Sequence, residues 1–320
     1  MKGSAVAPAT QGLINVHGYC RDHGQPKGRL LHCALSNLTT TTTVQFLRQR
    51  DAMLLVNGKP LKGPERQRIL EFMATLREEF DLPEGLRMCS VNSFPSKCGL
   101  GSSASAFAAL ALASSIAARK ELAPHVLARI AGQGSLTAGS SIIGGVSSSR
   151  PGMDGPHGGS RRELDPDDFP TTVIGVAIES KRISADIHQE ARRSVMYKMI
   201  AHKIEPQAKK VVRILRAGDW ETAGKLVETN VALNHALIST GPQRMLPWKP
   251  ATLAVMDLVK QIRDQTKTRI FYAINSGPSI FVYVHNEDAR RIRRQLSQLC
   301  LPLFESSIST GAFATTRHLF

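Results

Sequence analysis

Residues Asn92 to Ala113 read NSFPSKCGLGSSASAFAALALA, small and hydroxylated side chains that pass directly into an apolar stretch rich in Ala and Leu. Gly99 and Gly101 let an anion approach the backbone closely, and a helix starting just beyond them would offer free amides and the positive end of its dipole. That device binds phosphate. The hydroxyls of Ser102, Ser103 and Ser105 can donate to phosphate oxygens or hold Mg²⁺, for which Ser103 is the candidate ligand, and Lys97 adds positive charge. Pro95, Ser96 and Leu100 complete the loop, which lacks the G-K-[ST] ending of a Walker A motif. A linker or an ordinary Ser-capped start of a core helix is the alternative reading of the same residues.

The run Pro95 to Ser105 resembles the P-x-x-x-G-L-x-S-S-A signature of the galactokinase, homoserine kinase, mevalonate kinase and phosphomevalonate kinase (GHMP) superfamily. Further stretches are similar to its diphosphomevalonate and phosphomevalonate decarboxylase branch, with the phosphomevalonate version of archaea and related bacteria the most similar. These are Ala7 to Gly18 (APATQGLINVHG), Leu35 to Phe46, Ser135 to Gly145 (SLTAGSSIIGG), Arg193-Ser194-Val195, Asn230 to His235, and the turn Asn275 to Pro278. The resemblance implies an α+β, two-domain fold with an ATP cleft between residues 1–170 and 171–320. It also implies ATP and Mg²⁺ as cofactors and a phosphorylated mevalonate as substrate. The γ-phosphoryl would pass to the 3-hydroxyl, and loss of phosphate and CO₂ would give an isopentenyl product. Carried over residue by residue, it places His17, Ser135, Thr137, Arg193 and Ser194 at the substrate.

Three positions depart from that pattern. The Asp expected near the reacting hydroxyl falls on Asn275, its Lys partner on Asn15, and the Arg for the substrate carboxylate on Ser140. An amide accepts no proton at neutral pH, and a missing Arg leaves the departing carboxylate without its counter-charge. Phosphoryl transfer tolerates such losses better, because its loose transition state depends on positioning and electrostatics. A kinase that stops at the phosphate ester and a silent nucleotide- or metabolite-binding homologue are the alternatives. His17, Lys97, His188, Arg192 and Arg193 are the groups that could compensate.

Positioning these residues requires mixed elements. Ala5 to Gly18 and Leu30 to Phe46 read as strands, Glu65 to Phe80 as an amphipathic helix, Arg87 to Val91 as a strand, and Ser102 to Lys120 as a buried helix. A helix is expected from Pro124 to about Ala131, then a Gly- and Pro-rich surface loop from Ser147 to Pro170. Thr171 to Ile178 is strand-like, and Ala185 to Ala217 helical with a break at Pro206. Helices fit Trp220 to Ile238 and Pro250 to Gln265, two strands flank Ser276-Gly277-Pro278, and a basic helix covers Glu287 to Cys300. This irregular alternation is α+β rather than doubly wound.

The 320 residues, 42% of them hydrophobic, suffice for a substantial core. Five scattered cysteines without a C-x-x-C pair argue for reduced thiols. No apolar run is long enough for a membrane span and the first residues lack a signal-peptide core, so a cytoplasmic protein without a membrane partner is expected. The net charge of +15 favours an anionic partner. With only 5% aromatic residues and no massed basic tail, that partner is expected to be a phosphorylated metabolite rather than nucleic acid. Homodimerisation is left open.

Overall fold

A computed structural model describes residues 2–18, 28–48, 52–94, 101–150, 159–179 and 184–320. Strands β1 (Lys2–Ile14) and β2 (Leu30–Leu47) pair antiparallel, and the Thr39–Thr43 run of β2 pairs with β1 on one side. On the other side β2 meets β5 (Gly85–Asn92), which runs parallel to β3 (Ala52–Val56); β4 (Lys59–Pro60) closes that edge. Helix α1 (Gly63–Phe80) buries Phe72, Met73, Leu76 and Phe80, as its spacing requires. It shares a core with α2 (Ser102–Ala117), α3 (Pro124–Gly134) and α4 (Ala138–Ile143) over one face of the first sheet.

Within the expected surface loop at 147–170, the described residues instead include a pair of antiparallel strands, β6 (Val146–Arg150) and β7 (Gly159–Leu164), added to the first sheet through β2, while 151–158 lie outside the described residues. Its serines misled the reading. Ser147, Ser148 and Ser149 are buried, and two of them exchange hydroxyl bonds with neighbours: Ser149 with Ser140 at 3.0 Å and Ser160 at 2.9 Å, and Ser148 with Glu163 at 2.6 Å. Side-chain pairing of this kind lets polar residues occupy a buried strand.

The second sheet runs β11-β8-β10-β9, built from β8 (Thr171–Val176), β9 (Ile270–Ala273), β10 (Ile280–His285) and β11 (Leu303–Ser307). Period-two alternation in β10 sends Phe281 and Tyr283 to the central core, and Ile280, Val282 and Val284 to an outer core under α9 (Pro250–Thr266) and α10 (Ala289–Ser297). A 3₁₀ turn (Asn286–Asp288) precedes α10, so the basic helix is shorter than expected. The central core joins both sheets to α5 (Ser184–Arg192), α6 (Tyr197–Ala201), α7 (Ile204–Arg216) and α8 (Trp220–Ser239). Pro206 breaks nothing. It lies in the first turn of α7, where a missing N–H costs little, and the chain bends before Tyr197 and Ile204 instead. The short strand β12 (Phe313–Ala314) returns to pair with β1, so the C-terminus is tied into the N-terminal sheet.

Candidate active site

Strand β1 ends at Ile14, earlier than the sequence pattern suggests, because Asn15 and His17 bond to a helix rather than to a neighbouring strand. On α8, Asn230 and Asn234 lie four residues apart and share one face. Asn15 N donates to Asn230 Oδ1 at 2.9 Å and His17 N to Asn234 Oδ1 at 2.8 Å. Both asparagine amides donate in return to Asn15 O, at 3.0 and 2.7 Å. The Asn230-to-His235 stretch singled out in the sequence is thus the clamp that holds the exit of β1.

Residues 15 and 275, far apart in sequence, meet over Gly12. A methyl group placed there would lie 2.9 Å from Asn275 Oδ1 and 3.3 Å from Asn15 Nδ2, so only glycine allows the approach. Gly12 N donates to Asn275 Oδ1 at 3.0 Å, while Asn275 Nδ2 donates to Gln11 Oε1 at 2.6 Å. Asn15 Oδ1 is turned to its own backbone, accepting from Val16 N at 2.8 Å. The result is a neutral amide cluster bonded partly within itself and partly to the backbone of Gly12 and Val16. Gln11 Nε2 is the exception, a buried donor without a partner among the described residues.

Behind this cluster three imidazoles pack together. His17 Nε2 and His235 Nε2 both donate to the Asn275 carbonyl, at 3.1 and 2.8 Å, and the His17 and His188 rings are 5.3 Å apart, edge to face. His188 Nδ1 accepts from Gly18 N at 3.1 Å. Burial lowers His17 to about 4, against the opposing bond to the Asn275 carbonyl, and lowers His188 and His235 to about 3. All three are neutral at physiological pH, so none supplies the positive charge that Asn15 lacks.

Ser140 has other surroundings. It is fully buried in α4, hydrogen-bonded to Ser149, while Ser135 and Thr137 stand half-buried at the start of that helix. Arg193 follows α5 and is exposed, with no partner among the described residues; Ser194 next to it is buried and 2.7 Å from Thr240 Oγ1. A methyl group on Gly18 would press against Tyr197 and lie 3.1 Å from Arg192 Cα, which brings this turn against the exit of β1.

Of the phosphate-loop candidates, Pro95, Ser96, Lys97, Gly99 and Leu100 lie outside the described residues. Gly101 is the left-handed N-cap of α2, with φ +79°, and a methyl group there would stand 2.5 Å from Thr10 O. The α2 N-terminus has no side-chain cap and no acidic residue in its first turn, a donor set that fits a phosphate chain. Ser102 and Ser103 are half-buried, whereas Ser105 is fully buried and bonded to Thr40 Oγ1 at 2.7 Å. Arg68 of α1, which gave no signal in the sequence beyond its place on a charged helix face, donates to Ser103 Oγ at 3.2 Å and lies 4.6 Å from the Phe107 ring centre. It brings a guanidinium to the start of α2.

The site thus combines a glycine-turned start of α2 with a β1 exit clamped by α8. Residues 7–160 match the diphosphomevalonate decarboxylase-like N-terminal domain. The chain is 29% identical to a phosphomevalonate decarboxylase of Haloferax volcanii over 93% of its own length and 92% of that protein's. The mevalonate diphosphate decarboxylase of Enterococcus faecalis superposes with a TM-score of 0.88 at 23% identity, covering 98% of this chain and 99% of that one. Mevalonate-3-kinase of Thermoplasma acidophilum gives 0.81 at 19% identity, over 99% and 98%. Residues 7–160 thus match a diphosphomevalonate decarboxylase-like N-terminal domain, and nearly the whole chain is similar to a phosphomevalonate decarboxylase and shares the fold of mevalonate diphosphate decarboxylases.

Proposed function

We propose that the protein transfers the γ-phosphoryl group of Mg·ATP to the 3-hydroxyl of mevalonate or a phosphorylated mevalonate, and that decarboxylation is slow or absent. The observation that supports this reading is the neutral set Gln11, Asn15 and Asn275, in which Asn275 bonds Gln11 and Gly12 and Asn15 bonds the backbone of Val16, where the resemblance implies a charged pair. ATP would supply the phosphoryl group. The α2 amides, Ser102 and Ser103 would hold its phosphates, and Arg68 would add charge beside them. Asn275 can orient a hydroxyl through its amide but cannot take its proton. Arg193, exposed and with a side chain that meets no partner among the described residues, is suited to a substrate phosphate. Residues 1–170 and 171–320 would form the two walls of the cleft.

The test is to incubate the protein with ATP, Mg²⁺ and either mevalonate, its 5-phosphate or its 5-diphosphate, following ADP and CO₂ separately. ADP formed well ahead of CO₂ is expected. Equal rates of the two would overturn the reading, and absence of ADP with every substrate would favour a binding protein.

A further inference from the structure

We propose that the cleft between β7 and α7 is a second anion site, shaped for a compact phosphate-bearing ligand such as pyrophosphate or a small phosphomonoester. A cavity of about 260 Å³ there is lined by Arg29, Arg161, Lys209, Arg213, Arg216 and the carboxylate of Glu163. That volume is below the span of about 300–1,000 Å³ usual for drug-sized ligands, so it suits a small anion better than a nucleotide.

The charge is unbalanced. Glu163 is buried and already engaged by Arg29 at 2.5 Å, Arg161 at 2.9 Å, Arg216 at 3.3 Å and Ser148 Oγ at 2.6 Å. Burial opposes its ionisation, but the bonds from Ser148 and Arg161 and the nearby positive charges outweigh that and lower its pKa. Lys209 is paired with Glu205 at 3.0 Å. Arg213 has no partner among the described residues, and Arg29 Nε is a buried donor without one. Two carboxylates against five cations leave three positive charges in excess.

Their placement is also specific. Lys209, Arg213 and Arg216 recur at helical spacing along one side of α7, where like charges repel unless an anion lies between them. Arg161 and Arg29 face them from the first sheet, so an anion in the cleft would tie the two layers together. The Arg29 guanidinium, held in place by Glu163, gives one fixed wall, and the exposed Arg213 and Lys209 can close over it.

Calorimetric titration of pyrophosphate into three proteins tests this: the wild type, Ser102→Ala/Ser103→Ala in the phosphate loop, and Lys209→Ala/Arg213→Ala in the cleft. Both cleft residues are exposed, and melting curves without ligand will verify folding. Binding to the wild type is expected, retained in the loop variant and weakened about tenfold or more in the cleft variant, together with loss of the anion-induced rise in Tm. Mevalonate 5-phosphate as a second titrant separates the sources: tighter binding in the cleft marks a metabolite, and weaker binding an inorganic ligand. The proposal is overturned if the cleft variant titrates like the wild type, or if the wild type binds no pyrophosphate at millimolar concentration. Failure of the ATP reading would show separately, as unchanged ATP affinity in the loop variant.

Discussion

Asn275 holds its amide in one orientation because Gly12 N needs an acceptor and Gln11 Oε1 needs a donor. An aspartate at that position would keep the first bond and confront Gln11 Oε1 with a second acceptor. Rotation of the Gln11 amide resolves the conflict by bringing its unpartnered Nε2 to the carboxylate. Asn275→Asp should therefore fold with a stability near that of the wild type. It should do little for CO₂ release alone, since residue 15 still lacks a cation and residues acting as a unit are non-additive. Asn15→Lys/Ser140→Arg/Asn275→Asp should release CO₂ faster than any single change, as followed by radiolabelled carboxylate. Its Ser140→Arg component, placed in a fully buried helix, should lower the Tm when made alone. CO₂ release from Asn275→Asp as fast as from the triple variant would show that residue 15 has no part in the step.

At the scale of an element, the start of α2 depends on one backbone conformation. Gly101 combines a φ of +79° with contact to the backbone of Thr10, so a side chain meets both a conformational cost and a clash. Gly101→Ala should destabilise the protein by about 1–3 kcal/mol and shift the first amides of α2. Chemical denaturation and ATP calorimetry would record both effects. If ATP affinity survives with stability reduced, the α2 terminus is not where the nucleotide binds. The β1 exit shows the opposite dependence, on a distant helix: Asn230 and Asn234 replace the strand partners that Asn15 to His17 would otherwise need.

Across the whole molecule, the two sheets close over a core that traps ionisable groups in their neutral forms. Burial lowers His17 and His32 to about 4 and His188 and His235 to about 3. An unfolded chain takes up protons as pH falls through about 6.5, whereas the folded one does not until far lower. Stability is thus fully present above about pH 7 and is lost on acidification, by on the order of 1 kcal/mol per pH unit for each such histidine at the steepest. The urea midpoint should fall clearly between pH 7.5 and pH 5, and His32→Leu, which removes a buried ring whose nitrogens have no partner among the described residues, should flatten that dependence. A midpoint constant over this range would refute the account.

Local pattern was enough for the elements whose side chains have one clear periodicity. The amphipathic spacing of Phe72, Met73 and Leu76 defined α1, the β-branched run Thr39–Val44 defined a strand, and the turn of small residues before Ser102 marked the start of α2. The family resemblance, rather than local pattern, marked Asn15, Ser140 and Asn275 as neutral where that family is charged. What these residues touch was not legible, because the decisive contacts join separate elements: Asn275 to Gly12 and Asn15 to Asn230 span more than two hundred residues, and Ser140 of α4 meets Ser149 of a strand whose serines looked like a loop. The basic cleft was hidden for the same reason. Helical spacing puts Lys209, Arg213 and Arg216 on one side of α7, but only packing against β7 brings Arg161 and Arg29 to face them around a buried Glu163. Sequence determines which side chains an element can present; the closure of one layer on another decides which of them share a site.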